Sequence, residues 1–106
     1  MITVKLGHFS VEMEGHAGQN ARGKDIVCAS ASMLAYTLAQ MVLNMEQQGK
    51  LKDSPTVDIG SGKACITCKP KRKYKVEAER VYLVISTGYK LLSHNHPQYV
   101  VISQTA

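Results

Sequence analysis

The chain has 106 residues, 44% of them apolar and 20% charged, which excludes a disordered segment and gives enough apolar surface for one core without disulfide or metal staples. A formal net charge of +5 makes nucleic acid or another acidic surface an eligible neighbour. Three cysteines, and a start that runs straight into a strand pattern, read as free thiols in a cytoplasmic protein, and no unbroken apolar run approaches the roughly 20 residues of a membrane span.

Ile2-Thr3-Val4-Lys5-Leu6 alternates with period two, as does Phe9 to Glu14, so a β-hairpin turning at Gly7-His8 is predicted. Its second strand delivers Gly15 and His16. Gly15, Gly18 and Gly23 then mark backbone that turns tightly or moves. Gly15, Ala17, Gly18, Gly23 and Lys24 are expected to belong to a mobile loop that closes over substrate and brings His16 toward Cys28. Asp25 is a preferred N-cap residue, and from there Val27, Ala31, Leu34, Leu38, Met41 and Met45 follow helical spacing. They predict a core-facing helix of about five turns, stopped by Gly49 at C′.

Thr56 to Ile59 and Ala64 to Lys69 read as a second hairpin around Gly60-Ser61-Gly62, after a polar connection from Lys50 to Pro55. Cys65-x-x-Cys68 has the spacing of half a zinc site, with His94 and His96 as the other half. On a strand, however, residues three apart point to opposite faces, so one buried and one exposed thiol are expected and no metal is assigned. The cluster Lys69, Lys71, Arg72, Lys73 and Lys75 permits contact with nucleic acid without requiring it, and a solvated sheet edge is the plainer reading.

From Glu77 to Ser93 two readings stay open. Val81, Val84, Leu91 and Leu92 have helical spacing, with acids early and Lys90 late, whereas the β-branched run Val81 to Ile85 suits a strand and Gly88 weakens a helix. Pro97 stops that element, and Tyr99-Val100-Val101-Ile102 reads as a central strand. With the helical choice the order is ββαββαβ, an α+β fold in which a mixed sheet of about five strands packs with two helices, one domain over residues 1–106.

The chemistry concentrates in residues 15–32. At the start of a helix the unpaired N–H groups and the positive end of the macrodipole favour a thiolate, which makes Cys28 the candidate nucleophile. His16 is the candidate general base, and backbone N–H groups at the helix start are candidate oxyanion donors. Asp25, as the helix cap, is a supporting residue that steadies the Cys28 end of the helix. Taken singly, a His beside glycine also suits a plain turn, and a Cys near a helix start suits a small buried hydrophobe.

The stretch Gly15-His16-Ala17, a glycine-containing loop, then Gly23-x-Asp25-Ile26-Val27-Cys28-Ala29-x-x-Ser32 resembles the signature of the ribosomal-processing cysteine proteases called Prp. The two positions after Ala29 are often Ala and a branched apolar residue in that family and are Ser30 and Ala31 here. The resemblance implies a cysteine endopeptidase with His16 and Cys28 as the catalytic pair and no cofactor. It further implies a protein substrate, either the N-terminal extension of a large-subunit ribosomal protein or, as in phage-encoded relatives, a capsid or scaffold protein. It also favours a homodimer and makes Asp25 and Ser32, at the family's fixed Asp and Ser positions, supporting residues; the free thiols and short apolar runs, independently, point to the cytoplasm, away from the membrane. The competing reading is a catalytically silent module that binds a peptide or ribosomal RNA.

Overall fold

The computed structural model describes residues 1–16 and 24–104. Strands β1 (Ile2–Gly7) and β2 (Ser10–Gly15) form the first hairpin, with Ile2 opposite Gly15 and Gly7 opposite Ser10. The turn falls on His8-Phe9, one residue later than expected, with Phe9 at φ +56°. Helix α1 (Lys24–Gln47) follows, then the hairpin β3 (Thr56–Gly60) and β4 (Lys63–Thr67), and a single 3-10 turn at Arg72–Tyr74. Helix α2 (Lys75–Asn95) and strand β5 (Val100–Gln104) complete the order. The α+β arrangement is the one expected, and the open choice at Glu77 to Ser93 resolves to helix.

The strands lie in the order β3-β4-β2-β1-β5, with β5 parallel to β1 and every other pair antiparallel. β5 is therefore an edge strand, not the central one its unbroken apolar run suggested. Val100 is buried but Val101 is 45% exposed. The core lies between one face of the sheet and the helices: Ile2, Val4, Leu6, Val11, Met13, Ala64 and Ile66 alternate inward. Thr3, Lys5, Glu12, Glu14 and Asp58 occupy the intervening positions on the other face.

α1 is longer than expected, and its buried seam is the expected one apart from Met41. Val27, Ala31, Ala35, Leu38, Val42 and Met45 are in the core, whereas Met41 is 40% exposed. Leu34 is half-buried against the core, and the small residues Ala35 and Ala39, which carry a weak sequence signal, are buried beside it. Helix Ile26–Gln47 contains an 18-residue window of mean hydropathy 1.7 and is by length and composition apolar enough to cross a membrane, although Ser, Thr and Gln interrupt its apolar runs. Its inner seam is packed in the core. The helix ends in a Schellman motif: Gly49, at φ +72°, donates its N–H to the Glu46 carbonyl, and Lys50 donates to that of Met45, both at 3.0 Å.

α2 buries Ala78, Tyr82, Ile85, Tyr89 and Leu92, so the stripe read through Val81, Val84 and Leu91 lies to one side of the core face. Two phenols tie the layers together. The Tyr82 hydroxyl donates to the Ile66 carbonyl at 3.2 Å and the Tyr89 hydroxyl to the Ala31 carbonyl at 2.9 Å, and burial pushes the pKa of both upward. Gly88, which seemed to argue against a helix, sits where α2 meets α1. A Cβ there would stand 2.6 Å from Leu34 Cδ2, so the absent side chain permits the close approach.

Candidate active site

β2 ends at Gly15, whose φ of +109° only glycine adopts readily. Its N–H donates to the Gly62 carbonyl at 2.8 Å, and the Met1 carbonyl occupies the space a Cβ would need. Gly15 is thus the last residue of β2, not a residue of the loop that follows it. His16, next in the chain, is exposed; its carbonyl accepts from the Met1 ammonium. Its imidazole lies over Gly62 in the β3–β4 turn. A Cβ on Gly62, whose φ is +72°, would come 2.5 Å from His16 Nε2 and 2.9 Å from Cε1. The ring rests where a glycine leaves room for it.

Cys28 and Ser32 are half-buried on α1, one turn apart on one face. Together with His16 they line a cavity of about 80 Å³, whose walls also include Ile2, Met13 and Gly62. The proposed pair, twelve residues apart in sequence, is therefore gathered at one site by the end of β2 and the start of α1. Among the described residues no hydrogen bond joins the His16 ring to the Cys28 thiol.

Three expectations change. α1 already includes Lys24, so Lys24 is helical instead of part of the loop, and Asp25 lies in the first turn instead of at the N-cap. Cys28 is consequently one turn into the helix, where its N–H has an intrahelical partner; the N–H groups without one near this end are those of Lys24, Asp25 and Ile26. Ala17, Gly18 and Gly23 lie outside the described residues.

The same cavity reaches Tyr36 and Gly60, which sequence reasoning did not single out. Tyr36 had a legible signal, since Cys28, Ser32 and Tyr36 recur every four residues along one helix face. Gly62 had none, because its part depends on a contact with a residue 46 positions earlier in the chain.

The remaining cysteines lie apart from this cavity. Cys65, half-buried beside Glu12 (Sγ to Oε1 3.9 Å), has its pKa raised by partial burial and then by the charges of Glu12 and Asp58. Cys68 is 6% exposed, and burial raises it also. Among the described residues no group of three or more His, Cys, Asp or Glu side chains could hold a metal ion.

The family follows from the chain as a whole. Residues 1–101 match the family described as cysteine protease Prp. The chain belongs to that family. Its fold is that of the essential ribosomal processing protease Prp from S. aureus, solved in complex with a substrate peptide: the TM-score is 0.77 at 18% identity, covering 99% of this chain and 100% of that one. The same S. aureus protease with a covalently linked product peptide gives a TM-score of 0.76 at 19% identity, with the same coverage. SMU.848 from Streptococcus mutans is 26% identical, with a TM-score of 0.66 over 98% of this chain and 91% of that one. No curated protein matches the chain. Membership in Prp makes this chain a cysteine protease, and the cavity holding His16 and Cys28 is where its residues could perform that chemistry.

Proposed function

We propose that the chain is an endopeptidase that removes the N-terminal extension of a large-subunit ribosomal protein, with Cys28 as nucleophile and His16 as general base. The observation that carries this reading is the convergence of the two side chains on one cavity from different elements. His16 takes the Cys28 proton as sulfur attacks the scissile carbonyl. The oxyanion is held by N–H groups at the start of α1, and His16 returns the proton to the leaving amine. Water, deprotonated by His16, then hydrolyses the thioester and frees Cys28. Ser32, which lines the same cavity, is a supporting residue. No step calls for a cofactor.

Free thiols at Cys28, Cys65 and Cys68 support a cytoplasmic setting. A homodimer is part of the same proposal, and sedimentation of the purified protein checks it.

The test is incubation with the extended ribosomal protein from the same source, reading the new N-terminus by mass spectrometry. The parent should release one defined extension, and Cys28→Ala should release none while melting at the parent temperature. His16→Ala should slow cleavage by about 10²–10⁴-fold with substrate still bound. Cleavage by either variant at the parental rate overturns the assignment.

A further inference from the structure

The positive charge of the chain is concentrated in one place. Lys69, Lys71, Arg72, Lys73 and Lys75 supply five cations with no acid among residues 69–75, matching the whole formal net charge of +5. The rest of the chain is balanced. In the fold three of these residues, Lys69, Arg72 and Lys75, line a groove of about 650 Å³ at the β1–β2 turn, together with Lys52, His8 and Phe9. The hydroxyl-bearing residues Ser10 and Thr67 also face it.

Neighbouring carboxylates leave most of this charge uncompensated. Among the described residues the ion pairs are Lys50 with Glu77 at 2.9 Å and His8 with Glu79 at 4.0 Å, so Lys52, Lys69, Arg72 and Lys75 meet the groove without a carboxylate partner. Read along the sequence, the basic cluster has only Tyr74 as an aromatic neighbour. The fold adds two more rings from sixty residues upstream: the exposed His8 lies against the half-buried Phe9, ring centroids 4.1 Å apart, and both line the groove. Cations alone would suit an acidic peptide equally well. Cations beside an accessible ring pair are what a single-stranded nucleic acid uses, phosphates on the former and a base stacked on the latter.

We propose that this groove docks single-stranded RNA. It lies at the opposite end of β2 from the catalytic cavity, since β2 runs from Ser10 in the groove to Gly15 in the cavity, about 17 Å along an extended strand. A protein substrate can therefore occupy the cavity while RNA occupies the groove. The choice of RNA over DNA rests on the ribosomal-protein reading; the charge and ring arguments do not.

The test uses Cys28→Ala protein, so that binding is measured whether or not the protease assignment holds. Fluorescence anisotropy with a labelled RNA strand of about 20 nucleotides, long enough to cover one such groove, is recorded over a range of salt concentrations. Combining Lys69→Gln, Arg72→Gln and Lys75→Gln should reduce the slope of log affinity against log salt by about 2, at about 0.7 per lost phosphate contact. His8→Ala should weaken binding about fivefold and leave that slope unchanged. Lys90→Gln, on the far part of α2, should change neither. In a Cys28 background, the triple variant should cleave a short peptide at the parental rate.

Failure of the parent to bind RNA saturably at low salt would overturn the proposal, and so would equal binding by the triple variant. Polyglutamate of similar length binding as tightly as RNA would overturn it in favour of an acidic peptide.

Discussion

Replacing Gly62 by Ala would place a methyl group against the face on which the His16 imidazole rests. The new Cβ would sit 2.5 Å from Nε2, whereas ordinary contact begins near 3.4 Å, so the ring must retreat by about 0.9 Å. A misplacement of about 1 Å at a reacting group can cost about 10²-fold in rate. The backbone adds its own penalty, because a left-handed conformation costs a non-glycine residue roughly 1–2 kcal/mol. Gly49 provides the matched control: it has the same φ of +72°, with nothing within 4 Å of the position a methyl group would take. Both alanine variants should melt lower, by about 4–8 °C per kcal/mol for a domain of this size. Only Gly62→Ala should lose kcat, by about 10²-fold with KM little changed. The assay is kcat and KM on a fluorogenic peptide beside melting curves for all three proteins. Parental kcat in Gly62→Ala would refute the reasoning, and so would an equal kcat loss in Gly49→Ala, which would trace the effect to stability alone.

Iodoacetamide near neutral pH should label Cys28 before Cys65 and Cys68, since burial raises the latter two and Glu12 and Asp58 raise Cys65 further; peptide mapping reads the order, and equal labelling of Cys65 would count against it. Cys65→Ser and Cys68→Ser should both retain cleavage. Stability should fall on the alkaline side: the raised folded thiols keep their protons while the unfolded chain gives them up above about pH 8.5, so the contribution is complete below that pH and lost as pH climbs through the folded values. Denaturant melts from pH 7 to 10 should show the decline, and Cys68→Ala should flatten it. Gly88→Ala should lie within about 1 kcal/mol of the parent, because the helix-propensity gain offsets the shift of a flexible Leu34 terminus, whereas Gly88→Val should cost about 1–3 kcal/mol in the same melts.

Strand alternation and the glycine and proline stops made the element order readable, because those signals are local. Partners across the sheet are not local, which is why β5 read as central: its apolar run reflects a buried inner face and a parallel neighbour, not two flanking strands. Along α1 the helical spacing located Val27, Ala31, Leu38 and Met45 in the core but not Ala35 and Ala39, whose small side chains carry little signal of burial. At the site, His16, Cys28 and Ser32 were legible through their spacing and motif. The seat of the His16 ring on Gly62, and the arrival of His8 and Phe9 beside the basic cluster, depend on tertiary contacts that no window of sequence contains.

The parallel pairing of β1 with β5 also dictates an order of assembly. Ile2 pairs with Val100, and its N–H donates to the Tyr99 carbonyl at 2.7 Å, so the first strand waits for nearly the whole chain before its outer edge is closed. At a synthesis rate of about 5–20 residues per second that edge stays open for roughly 5–20 s, a template for stray strand pairing. Such a distant contact also slows refolding, since the loop must close before the pairing rewards it. Ile2 is in addition a wall of the cavity that His16 and Cys28 line. Loosening β5 therefore reaches that cavity through Ile2 and its neighbour Met1, at the other end of the sequence.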